Sequence, residues 1–167
     1  MEVKENHPII IEKYPFASTL NSRLLSEADS IDYPHSFKTN VKARMSGWHM
    51  ESDNLETLKK WIVSLLLHTH KVTTDSYTIS FHDIWFVRYD KNHYTLNHDH
   101  LFCSMSFVYF VKCPRGSSPL VFTTSGKRIK AEEGNLVIFP SSIKHSVPKN
   151  KCDDRVVVSG NIIIHPI

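Results

Sequence analysis

Apolar side chains recur at helical spacing in two places near the start of the chain and then give way to alternation. Phe16, Leu20, Leu24 and Ile31, with Ser and Glu between them, predict a helix over about 15–29. Leu55, Leu58, Trp61, Ile62, Leu65 and Leu66 form a second stripe over about 54–69, and Asp53 followed by Glu56 reads as its capping-box start. Between the two, Ile31 to Met50 keeps no period, and Pro34, Asn40 and Gly47 mark an irregular segment or short strands laid over the core. Beyond Asp75 the texture changes. Segments 77–89, 94–98, 104–112, 120–124, 127–130, 135–139 and 155–165 are β-branched, aromatic and alternating, separated by Pro, Gly, Asn and Asp. Two helices followed by seven or eight short antiparallel strands predict a mainly β (α+β) fold: a barrel or a double-sheet jelly roll (double-stranded β-helix) with the N-terminal helices packed outside one sheet. No repeat or linker divides it, so a single domain is expected over 1–167, with 1–76 as a helical support region and 77–165 as the jelly-roll core.

Composition narrows the function more than the fold. With 167 residues, 41% apolar, 22% charged and 11% aromatic, the chain is neither disordered nor fibrous. A formal charge of +3, evenly spread, gives no nucleic-acid footprint and no polybasic membrane patch. None of the five glycines has the spacing of a phosphate-cradling loop. Cys103, Cys113 and Cys152 are odd in number and lack CxxC spacing, which excludes a disulfide framework and a four-thiolate zinc site. The apolar runs Pro8–Ile11 and Leu101–Val111 are too short or too interrupted for a signal core or a membrane span, and a cytoplasmic location is expected. What stands out is eleven histidines.

Secondary structure separates the candidate ligand pairs. His68 and His70 end a predicted helix, where side chains two apart diverge; interaction with the helix C-terminus accounts for them. His49 and Glu51 precede the second helix with no strand after them and read as loop residues. His98 and His100 instead lie at a predicted strand end, where side chains two apart share a face and can grip one ion. In the segment from Gly134 to His145, a strand, a Pro140 turn and His145 at the start of the next strand offer a third ligand, leaving open positions for chemistry. Farther on, Arg155 opens an apolar strand that would carry its guanidinium toward the barrel interior, where it requires a carboxylate. Asp153 and Asp154 are its neighbours in sequence; the alternative partner is a bound dicarboxylate.

The runs WFVRYDKNHYTLNHDH (85–100), SFVYFVKCP (106–114) and GNLVIFPSSIKHSVPKNKCDDR (134–155) resemble the iron(II)- and 2-oxoglutarate-dependent dioxygenases, most of all the prolyl-hydroxylase-like branch and small phage oxygenases. The resemblance covers about residues 77–165. It implies a hydroxylase with Fe(II) held by His98, His100 and His145, and with 2-oxoglutarate held by Arg155 and Tyr89. Its partners would be 2-oxoglutarate, O2 and a peptide, protein or small-molecule substrate, recognised by the segment 31–50 and the loops around Asn92 and Ser117. The chain departs from the family pattern at His100, where a carboxylate ligand is usual and for which Asp99 could substitute only through a local bulge. It departs also at Phe110, in place of a tyrosine, and at Val157, in place of Ser or Thr, with Ser159 and Asn161 following on the same face. Two other readings stay open. One is a cupin-type three-histidine dioxygenase independent of 2-oxoglutarate, since Gly134, Pro140 and His145 also fit the second cupin motif, although Ser104 and Met105 stand where the first wants glutamate. The other is a catalytically silent jelly roll that binds a ligand or a protein.

Overall fold

A computed structural model describes residues 7–70, the side chain of His70 excepted, and 75–167. The chain runs β1 (Ile10–Lys13), α1 (Ala17–Ser30), β2 (Val41–Lys42), β3 (Arg44–Met45) and α2 (Asp53–His70). It continues through β4 (Tyr77–Tyr89), β5 (Tyr94–His98), β6 (Met105–Lys112), β7 (Leu120–Phe122), β8 (Lys127–Ile129), β9 (Asn135–Pro140), β10 (His145–Val147) and β11 (Arg155–Pro166). The strands form a six-stranded sheet ordered β1-β9-β6-β11-β4-β3 and a five-stranded sheet ordered β2-β5-β10-β7-β8. Neighbouring strands within both sheets are antiparallel. The architecture is the expected double-stranded β-helix.

The central strands of the six-stranded sheet, β6, β9 and most of β11, are buried on both faces, which explains why they read as nearly continuous apolar runs. On one face Phe86, Phe107, Tyr109, Ile138, Val156 and Val158 meet Leu20 and Leu24 of α1 and Leu55, Leu58, Ile62 and Leu66 of α2. On the other, Val87, Phe110, Val137, Phe139 and Val157 meet Val41, Leu120, Phe122 and Val147 of the five-stranded sheet. Each fully buried aliphatic side chain contributes roughly 1.5–3 kcal/mol, so the helices are held by their leucine stripes rather than by propensity. A cavity opens inside the second core, between the sheets.

Two local features differ from expectation. The cap of α2 is Ser52, whose Oγ accepts from Leu55 N at 3.1 Å while donating to Glu27 of α1 at 2.8 Å; Asp53 instead begins the helix. Asn54 also donates to Glu27, so the start of α2 is tied to α1. The N-terminal strand β1 has no counterpart in the predicted elements, because only Ile10 of its four residues is buried and the strand reads as polar. It closes the sheet edge against β9.

Gly160 lets β11 pass closely behind the cavity. A Cβ there would lie 2.6 Å from Asp83 O and 2.6 Å from the Phe107 ring, so no larger side chain fits without movement.

Candidate metal centre

Strand register brings the first two histidines together. His98 ends β5 and His145 begins β10; the two are direct cross-strand partners, with ring centroids 4.2 Å apart. His100 lies past the end of β5, where its backbone N–H donates to Ser141 O at 2.8 Å and its carbonyl accepts from Cys103 N at 2.9 Å. This turn carries the third ring to 4.8 Å from His98 and 5.4 Å from His145, centroid to centroid. One potential ligand atom from each residue lies within 4.8 Å of the other two.

His98 and His145 are held in the same way. Each directs Nδ1 at the carbonyl two residues earlier, Leu96 O at 2.8 Å and Ile143 O at 2.9 Å. A carbonyl can only accept, so Nδ1 carries the proton and Nε2 keeps a lone pair. Burial also keeps the rings neutral. Desolvation lowers His98 below the usual imidazole range, pushes His100 down to about 4 with help from the neighbouring His98, and pushes His145 down to about 3. Neutral imidazoles whose lone pair is fixed, as in His98 and His145, are metal-ligand donors.

Arg155 occupies the same cavity. It is 1% exposed, its Cζ sits 4.5 Å from the centre of the Tyr89 ring and 5.5 Å from that of Phe110, and its Nε and Nη1 have no hydrogen-bond partner among the described residues. The aspartates beside it are engaged elsewhere. Asp154 Oδ1 accepts from Arg88 Nη1 at 2.7 Å, its other oxygen pairs with Lys112, and Asp153 accepts from Lys91 N. Asp154 takes the left-handed conformation, φ 63°, as its own N–H donates to Asp90. That turn separates the partly buried ion pairs of Asp154 from the buried Arg155. A buried guanidinium lacking an acidic partner is costly, and its free N–H groups are anion receptors.

The remaining sequence candidates divide. Tyr89 lines the cavity, its hydroxyl sharing a 2.7 Å hydrogen bond with buried Thr95 of β5. Val157 and Ser159 line it too. Asp99 is absent from the histidine cluster, and so are His49 and Glu51; His68 is exposed at the end of α2, and the His70 side chain lies outside the described residues. Of the segments assigned to substrate recognition, 31–50 reaches the cavity through Val41, whereas Asn92 and Ser117 do not line it. Sequence reasoning missed Thr95 and Trp85, which line the cavity, and Asp83, which lies behind it. Trp85 and Thr95 both fall within the run 85–100, but nothing in their spacing marked them, and Asp83 lies just before it.

No family model matches the chain, and no curated protein matches it. Solved structures do. Over 92% of this chain and 94% of the other, it is similar to the viral collagen prolyl hydroxylase vCPH from Paramecium Bursaria Chlorella virus-1 in its 2OG complex, at a TM-score of 0.72 and 14% identity. A Pseudomonas putida prolyl-4-hydroxylase matches at 0.70 and 16% identity, over 94% of this chain and 92% of that one. HygX from Streptomyces hygroscopicus, with nickel and 2-oxoglutarate bound, matches at 0.65 and 10% identity, over 92% and 82%. The chain therefore has the double-stranded β-helix fold of the 2OG-Fe(II) oxygenases.

Proposed function

We propose that this protein is an Fe(II)- and 2-oxoglutarate-dependent oxygenase that hydroxylates a C–H bond of a peptide, protein or small-molecule substrate. The observation that carries this reading is the buried, unpartnered Arg155 guanidinium in one cavity with three converging neutral imidazoles. One group demands an anion and the other suits a transition metal; a keto-dicarboxylate answers both demands. The similar structures include complexes with 2-oxoglutarate, and in HygX with nickel as well, which agrees with the donors present here.

His98, His100 and His145 would hold the iron, with Nε2 of His98 and His145 fixed for it by the carbonyls of Leu96 and Ile143. Arg155 would bind the distal carboxylate, backed by the Tyr89 ring face and the Tyr89–Thr95 hydrogen bond. Val41, Val87, Phe139, Val147 and Val157 exclude water around both groups, which strengthens the charge-assisted bonds. Bound iron supplies the oxygen chemistry that converts substrate C–H, 2-oxoglutarate and O2 into C–OH, succinate and CO2.

Succinate formation by the iron-loaded protein is the test, measured with and without 2-oxoglutarate and in Arg155→Ala. The proposal requires production that depends on both iron and Arg155. Oxygen uptake in the absence of 2-oxoglutarate would favour the cupin-type reading, which the lack of a carboxylate in the histidine cluster supports.

A further inference from the structure

The three imidazoles are not equivalent. Whereas Nδ1 of His98 and of His145 faces a carbonyl, Nδ1 of His100 faces the side-chain nitrogen of Asn161 at 3.5 Å. The amide of Asn161 is held at both ends: Oδ1 accepts from Ser106 Oγ at 2.7 Å, and Nδ2 donates to Asp83 Oδ1 at 2.8 Å. Ser106 could serve either orientation of the amide, because its hydroxyl can donate or accept and it has Ser141 Oγ as a second partner at 2.7 Å. A carboxylate can only accept. Asp83 therefore keeps the amide nitrogen in place, and the second N–H of that nitrogen is the group directed at His100.

We propose that Asn161, oriented by Asp83, is a positioning residue that sets the tautomer of His100 opposite to that of the other two histidines. With Nδ1 accepting from Asn161, the ring proton stands on Nε2, and neither nitrogen of His100 offers a free lone pair. His100 is then the conditional member of the triad. His98 and His145 are ready to bind metal, while His100 joins only when the Asn161 amide turns its oxygen toward Nδ1–H, against Asp83. The part of this inference that concerns metal rests on the function proposed above; the tautomer does not.

Nitrogen-15 NMR of the imidazoles in metal-free protein, recorded at a pH where added base no longer changes the spectrum, tests the tautomer directly. The expected pattern is a proton on Nδ1 of His98 and His145 and on Nε2 of His100. A proton on Nδ1 of His100 would overturn the proposal. Asp83→Asn frees the amide to turn, so His100 should move to the Nδ1–H form, and Co(II) should bind about tenfold more tightly although a negative charge has been removed. Weaker Co(II) binding in a folded Asp83→Asn protein is what simple electrostatics demands and would overturn the positioning role. Should that variant not fold, Asn161→Leu removes the donor outright, and loss of the Nε2–H preference of His100 is expected. Failure of the wild type to bind Co(II) at all would sink the metal site and leave the NMR result standing.

Discussion

Arg155 stacks its guanidinium on the ring of Tyr89, 4.5 Å from Cζ to the ring centre, while leaving Nε and Nη1 without partners in a buried cavity. The aromatic face offsets part of the cost of burying the cation, but it accepts no conventional hydrogen bond. The site is built at some expense to the empty protein and completed by an anion. Arg155→Met should accordingly raise the melting temperature of the ligand-free protein, by about 2–4 °C for each 1 kcal/mol gained, while lowering 2-oxoglutarate affinity about 100-fold and leaving iron bound. Thermal melts with and without 2-oxoglutarate measure both effects. A destabilised variant with unchanged affinity would show that Arg155 is structural.

His145→Ala should abolish Fe(II) retention. This ring is 5% exposed, sits directly opposite His98 in the β5–β10 register and has its lone pair fixed by Ile143 O. Truncation also opens a gap beside Phe139, whose ring centre lies 4.8 Å from it, so a stability loss of about 1–2 kcal/mol is expected. Iron content after anaerobic reconstitution reads the first effect, and denaturant titration the second. Stoichiometric iron in the variant would remove His145 from the ligand set.

His100→Asp should retain iron and bind it more tightly than the wild type. A carboxylate at this position could accept the Asn161 amide hydrogen that faces Nδ1 of His100, and it would add a negative charge beside the metal. Competition with a calibrated chelator measures the change. Loss of iron in the variant would mean that the position is not a ligand position.

Acid should unfold the metal-free protein through these same histidines. In the unfolded chain an imidazole takes up a proton near 6.5, whereas in the folded protein burial delays protonation to about 4 at His100 and about 3 at His145. Between those values the unfolded state binds more protons, so folding stability falls as the pH is lowered from about 6.5 toward 3. Melting temperature measured across this range should fall less steeply in His145→Gln, which cannot take up the proton. Identical slopes for the two proteins would contradict the assignment.

The legible parts of the molecule were those set by periodicity. Residues 84–89 are mostly apolar because burial between two layers demands it, and β4 falls on the segment 77–89 that contains them. The histidines were singled out by HxH at a predicted strand end, although His100 reaches the cluster through the turn after β5 rather than by strand alternation, and Arg155 because an arginine opening an apolar strand needs a partner. What could not be read was pairing. Asp83 and Asn161 stand opposite one another only through the register of β4 with β11, next to a bulge, and the amide that confronts His100 follows from that register. Likewise Ser52 and Glu27 are brought together by the packing of α1 on α2, so the cap of α2 was misplaced by one residue.

The most direct test of the proposed site is anaerobic titration of the Fe(II)-loaded protein with 2-oxoglutarate, following the weak visible charge-transfer band of a keto acid chelated to iron. The account predicts a saturable band in the wild type that is lost or shifted to far higher concentration in Arg155→Met. Iron bound in full with no such band, or a band indifferent to Arg155, would contradict it.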